Sequence, residues 1–172
     1  MVGNGKTDHW VPQVLPDWGW LTRQQVVDKM KPLLGNRTES IISAYEKAMP
    51  GASPSSIIRQ MNTDRDWTLP NVWIAQAKAR GGGKPAYLYY VDAEVITAAM
   101  LGNGRAEPLS GDAVGQFTTA YAAFAKNGNP NHPGILTWHP YRIGAPATMI
   151  FGQRTYEVEE AVPTLKIWNN QR

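Results

Sequence analysis

The sequence predicts an α/β fold, helix-rich, with a few short and mostly parallel strands. Three observations carry this expectation. Several helix-sized segments repeat their apolar residues at helical spacing. Two short runs rich in aromatic and β-branched residues, Ala86 to Val91 and Thr148 to Phe151, have the composition of buried strands. The two kinds of segment alternate along the chain. With 172 residues, 42% of them hydrophobic, and with seven Trp and seven Tyr, there is material for a packed core. Residues 1–172 are expected to form one domain or part of one.

Met1-Val2 before Gly3 reads as the tail of a first strand. Thr22 with Gln25 three residues on makes a capping-box start. Val26, Val27, Met30, Leu33 and Leu34 then share a face, and Gly35 offers a stop. A second helix runs from about Thr38 through Ile41, Ile42 and Tyr45 to Ala48, ahead of Pro50. A third opens at Ser53-Pro54, with proline in its first turn. From Asp66 to Arg80 the residues suit a longer helix, with Pro70 either near its start or kinking it, and Gly81-Gly82-Gly83 ends it. After the Tyr87 strand, Val114, Phe117, Thr118, Tyr121, Ala122, Phe124 and Ala125 recur at helical spacing up to Lys126, and the Thr148 strand follows. Gly102-Asn103-Gly104 reads as a turn.

Composition narrows the function classes. Lys and Arg number 17 against 14 Asp and Glu, a net charge of +3, and the basic residues are scattered, so nucleic acid is not an expected partner. The absence of cysteine excludes disulfides, thiolate nucleophiles and cysteine metal sites. No run has the length of a membrane span or the form of a signal peptide, and the compartment is left open. No metal constellation or cofactor motif is present. Gly81-Gly82-Gly83-Lys84 is not a phosphate loop, because it follows a helix, its lysine precedes Pro85, and no Ser or Thr is in place. Asn36-Arg37-Thr38 matches a glycosylation triplet, but between two helices a cap is the simpler reading.

Four segments in a fixed order are similar to a known family. Val2-Gly3-Asn4-Gly5-Lys6-Thr7-Asp8 places an aspartate five positions after a glycine. Thr63-Asp64-Arg65-Asp66-Trp67-Thr68-Leu69-Pro70 begins a helix that leads to the Tyr87 strand. Phe124-Ala125-Lys126-Asn127-Gly128-Asn129-Pro130-Asn131 is followed by Trp138 and Tyr141, and then by Thr148-Met149-Ile150-Phe151. Over residues 1 to 168 this order resembles the C-terminal part of type B carboxylesterases, the family that also contains cholinesterases and the non-catalytic neuroligin-type adhesion proteins. The resemblance implies the C-terminal part of an α/β-hydrolase fold, a single partial domain, and hydrolysis of small carboxylic esters in the complete protein. It also implies that Asp8 is the acid of a serine-histidine-acid triad.

The rest of that triad is not found. None of the six serines stands in a Gly-x-Ser-x-Gly turn, and in this fold the nucleophile precedes the acid along the chain. The resemblance puts the triad histidine between the Tyr87 strand and the Phe124 helix, where this sequence has none; the stretch through Asp92 and Glu94 to Ala98 looks shortened. His9 adjoins Asp8, and neighbours on an extended segment point to opposite faces. His132 lies in a proline-glycine loop and His139 precedes Pro140, so both are expected to play loop roles. Trp18, Trp20 and Trp67 could line an acyl or alcohol pocket in a complete enzyme, although core positions are their default. The expectation is a hydrolase portion inactive by itself, prone to self-association or to pairing with an N-terminal half. The alternative is a non-catalytic interaction or scaffold member of the same family.

Overall fold

The computed structural model describes residues 1–5, 20–91, 113–152, 155–159 and 164–169. The chain divides into two compact units, Met1–Asp8 with Trp67–Ala161, and His9–Asp66 with Val162–Arg172.

The first unit is built on a four-stranded sheet. Its strands are β1 (Val2–Gly5), β2 (Leu88–Val91), β3 (Thr148–Phe151) and β4 (Thr155–Val158), in the order β1-β2-β3-β4. The first three are parallel and β4 turns back antiparallel on β3. This matches the expected small, mostly parallel sheet. β4 was not anticipated: Thr155-Tyr156-Glu157-Val158 lacks the apolar run that marks β3, and it is ordered by pairing with β3.

Gly3 answers to a close approach. A Cβ there would lie 2.2 Å from the Tyr89 carbonyl oxygen and 2.6 Å from the Tyr89 ring, so any side chain would drive β1 off β2. β3 is buried at every position, as a central strand covered on both faces should be.

Two helices of this unit pack on the sheet. One spans Leu69–Arg80 with Pro70 in its first turn, and so is not kinked by it. It follows a π-helical turn, Asp64–Thr68, where the sequence suggests uninterrupted α-helix from Asp66. The other spans Ala113–Asn127. Between the latter and the sheet, Phe117, Tyr87, Tyr89, Trp138 and Phe151 meet edge to face, with ring centroids 5.2 to 6.4 Å apart.

The asparagine-rich loop after that helix has a local logic. Gly128 takes a positive φ of 76°, and Asn127 Oδ1 accepts the Asn129 N–H while Asn129 Oδ1 accepts the Asn131 N–H. Asn131 then acts as a strand partner for Trp138, accepting its N–H at 2.7 Å and donating to its carbonyl at 3.0 Å.

The second unit is helical. α1 (Arg23–Leu34), α2 (Thr38–Ala48) and α3 (Pro54–Thr63) pack on one another, and α2 also meets the short helix Leu165–Asn169. In chain order the Leu69–Arg80 helix is α4, Ala113–Asn127 is α5 and Leu165–Asn169 is α6. The capping box at Thr22 and Gln25 forms reciprocally, and Gly35 closes α1 at φ 58°. Val26, Met30, Ile41, Ile42, Tyr45, Ile58 and Met61 fill the core. Leu33, counted from the sequence on the buried face of α1, is instead 59% exposed; Val26, Val27, Met30 and Leu34 make that face alone.

At the centre of this unit Asp64, fully buried, accepts hydrogen bonds from Tyr45 Oη at 2.6 Å, Gln60 Nε2 at 2.8 Å and Thr164 Oγ1 at 2.5 Å. Trp168 Nε1 donates to Tyr45 Oη at 2.6 Å, so Tyr45 and Thr164 together hold the C-terminal segment to the helices. Burial raises the Tyr45 phenol above its ordinary range, and the Asp64 charge and the hydrogen bond to Asp64 raise it further.

Candidate functional site

In parallel sheets, reactive and ligand-binding groups collect beyond the carboxyl ends of the strands. The register pairs Val2 with Leu88 and Gly5 with Val91. β1 and β2 therefore end side by side, and the chain leaves the sheet at the same end after Gly5 and after Val91. Asp8 comes three residues after Gly5 in sequence. Asp8 lies outside the described residues, as do His9, Trp18, Asp92, the Glu94 to Ala98 stretch and the Gly102 turn.

The strand that leads to Asp8 is firmly tied down. Asn4, buried at the centre of β1, donates to Thr68 Oγ1 at 3.1 Å and to the Gly5 carbonyl at 2.8 Å, and accepts from Asn71 Nδ2 at 3.0 Å. These bonds fix the end of β1 to the start of α4. In the sequence Asn4 is given no role of its own, and only its pairing with Thr68 and Asn71, more than 60 residues away, shows it.

Four other candidates lie within the described residues. His132 has Nδ1 2.8 Å from the Pro133 carbonyl and Nε2 3.4 Å from that of Gln116, a loop role as expected. His139 meets Glu157 of β4 through both its ring and its backbone. No signal in the sequence found that pair, because β4 itself was not read. Trp20 is 95% exposed and Trp67 49% exposed, so neither is a core residue.

None of the five serines in the described residues, Ser40, Ser43, Ser53, Ser55 and Ser56, hydrogen-bonds a histidine. Ser40 donates to the Arg37 carbonyl, Ser53 caps α3, Ser55 accepts the Leu21 N–H, and Arg23 and Arg59 donate to Ser43 and Ser56. Gly82, at φ 62°, lies in the stop after α4, not in a phosphate loop. Thr38 of the glycosylation triplet donates to the Gly35 carbonyl at 2.7 Å; it does not cap α2, which has no side-chain cap. Among the described residues no group of three or more His, Asp or Glu is placed to hold a metal ion, and no helix is long and apolar enough to cross a membrane.

No family model and no curated protein matches the sequence. Solved structures do. The carboxylesterase EST55 of Geobacillus stearothermophilus, in its crystal structure at pH 6.2, aligns with a TM-score of 0.79 over 99% of this chain and 39% of that one, at 19% identity. The chain has the fold of the C-terminal portion of a carboxylesterase. The same enzyme at pH 6.8 gives a TM-score of 0.69 over 97% of this chain and 37% of that one, again at 19% identity. An esterase from Clostridium hathewayi, described as able to hydrolyse aliphatic aromatic polyesters, gives 0.56 over 99% and 37% at 18% identity. The chain thus spans less than two fifths of the length of these carboxylesterase-fold chains. At this level of identity the likeness concerns the fold.

Proposed function

We propose that this chain is the C-terminal portion of a carboxylesterase-like serine hydrolase acting on small carboxylic esters, with Asp8 as the acid of its triad, and that by itself it performs no serine-type hydrolysis. What supports the reading is the Gly5 to Val91 register within a carboxylesterase fold. In that fold the acid follows one strand and the histidine follows the next, so that the carboxylate can orient the imidazole across neighbouring strand ends. Here the segment after β1 carries Asp8, and the segment after β2 carries no histidine. The nucleophile turn has no counterpart among the six serines. Both units are, on this reading, parts of one hydrolase domain.

Among the described residues, β1 is one of the two terminal strands of the sheet. A terminal parallel strand offers its outer backbone groups to another chain, so pairing with an N-terminal hydrolase portion, or self-association, is the expected behaviour in solution.

Labelling with a fluorophosphonate, read by peptide mass mapping, tests the proposal. The 172-residue chain should take up no label, and an adduct on any of its serines would overturn the claim that the nucleophile is elsewhere. When a polypeptide bearing the Gly-x-Ser-x-Gly turn is supplied, labelling of its serine that is lost with Asp8→Asn would support the triad role. A monodisperse monomer by light scattering would refute the pairing.

A further inference from the structure

We propose that His139 is an acyl-accepting nucleophile in its own right, at a site on the sheet unit that takes activated carboxylic esters such as aryl acetates without any serine. Glu157 Oε1 lies 2.7 Å from His139 Nδ1, and Glu157 Oε2 accepts the His139 backbone N–H at 2.6 Å. A single carboxylate thus holds both the ring and its backbone. An ionised carboxylate can only accept, so the neutral ring must carry its proton on Nδ1 and present a lone pair on Nε2. Nε2 has no hydrogen-bond partner among the described residues, and the side chain is 64% exposed while Glu157 is 21% exposed. An ordinary surface histidine exchanges between tautomers and orientations. Here the bond to Glu157 favours the tautomer that attacks through Nε2.

The surroundings suit an ester. His139 and Glu157 line a cleft of about 400 Å³ whose walls include Pro140, Ala145, Ala147 and Val158, with Arg142 and Glu159 at its charged part. The apolar wall accommodates an aryl or short acyl group. Arg142 brings a positive charge to the same cleft. Nε2 adds to the carbonyl carbon; the Nε2–C bond forms, the C–O bond to the aryl group breaks, and the electron pair leaves with the phenolate. Glu157 stabilises the acyl-imidazolium through Nδ1–H, the part a carboxylate plays beside any catalytic imidazole. Water then adds to the acyl carbon, the C–N bond breaks with its electrons returning to Nε2, one proton of the water passes to the phenolate, and the carboxylic acid departs with the other. The sum is ester plus water giving acid plus phenol, with no other reactant.

The test uses the full chain and p-nitrophenyl acetate. Phenolate release should exceed that of N-acetylhistidine at equal concentration, fall about tenfold or more in His139→Ala, and stay unchanged in His132→Ala. Glu157 is a positioning residue: Glu157→Gln should lower the rate while long-range ¹H–¹⁵N spectra show the His139 ring passing from one Nδ1–H tautomer to a mixture. Diethyl pyrocarbonate, which acylates a free imidazole nitrogen, should modify His139 of the wild-type chain ahead of His132, by mass mapping. Full turnover in His139→Ala, an Nε2–H tautomer in the wild-type spectrum, or modification of His139 no faster than His132 would each overturn the proposal. If the variants do not fold, the tautomer and the order of modification in the wild-type chain decide it. Turnover abolished by fluorophosphonate belongs to a serine and refutes this inference and the proposed lack of a nucleophile together, whereas fluorophosphonate-resistant turnover lost in His139→Ala supports both.

Discussion

Replacing Tyr45 by Phe removes one oxygen from the most buried polar cluster of the helical unit and leaves the ring in place. Two hydrogen bonds go with it, the 2.6 Å donation to Asp64 and the 2.6 Å bond accepted from Trp168 Nε1. A hydrogen bond to a charged acceptor contributes about 1.5–3 kcal/mol, and leaving a buried donor unpaired costs about 1–3 kcal/mol. Trp168 is only partly buried, so its share lies at the low end. No cavity of consequence opens, because the aromatic volume stays. The expected loss is about 2–4 kcal/mol, large against a total of about 5–15 kcal/mol for a folded domain. Urea unfolding followed by circular dichroism should show a lower midpoint at unchanged slope. Thr164 Oγ1 donates to the same Asp64 oxygen as Tyr45, so the Tyr45→Phe and Thr164→Val losses should not add. A Tyr45→Phe loss below about 0.5 kcal/mol, the level of an ordinary surface change, or strict additivity of the two variants would refute the view that Asp64 works as one node clasping the C-terminal segment.

Other outcomes follow from particular contacts. Gly3→Ala brings a Cβ to 2.2 Å from the Tyr89 carbonyl and should separate β1 from β2, read as lost amide protection in Leu88–Val91 with the helical unit still protected. Tyr45 and Tyr87 both have phenol pKa values raised in the folded chain, chiefly by burial. Their unfolded forms ionise first on going above about pH 10, so stability should be level below that pH and fall above it, by about 1.4 kcal/mol per pH unit for each fully withheld phenol. A stability that holds flat to strongly alkaline pH would contradict this. Asn131→Ala deletes both bonds to the Trp138 backbone and should cost about 1–3 kcal/mol, measured by thermal unfolding. On α1, Met30→Ala should cost about 2–5 kcal/mol and Leu33→Lys within about 0.5 kcal/mol, a contrast the shared helical periodicity does not predict.

Much of the local structure is legible in the sequence because its signals are local. The Thr22 and Gln25 capping box, the Pro54 helix start, the glycine stops and the Tyr87 and Thr148 strands depend on neighbouring residues, and each forms as the residues imply. The order of segments likewise sufficed for the α/β-hydrolase class, which the carboxylesterase fold match bears out. Less of the candidate site could be read. Asp8 was reached only through resemblance, and the histidines were assigned to loops without their partners.

What the sequence by itself determined is where most of the helices and strands lie, and that no Gly-x-Ser-x-Gly turn and no cysteine are present. Tertiary structure alone decided which strand ends stand together, why position 3 must be glycine, what Asn4 and Asp64 bind, and that His139 is gripped by Glu157. The physical reason is separation along the chain. A cap or a turn is satisfied within three or four residues, whereas Asn4 finds Thr68, Asp64 finds Thr164 and His139 finds a strand that exists only through its pairing with β3.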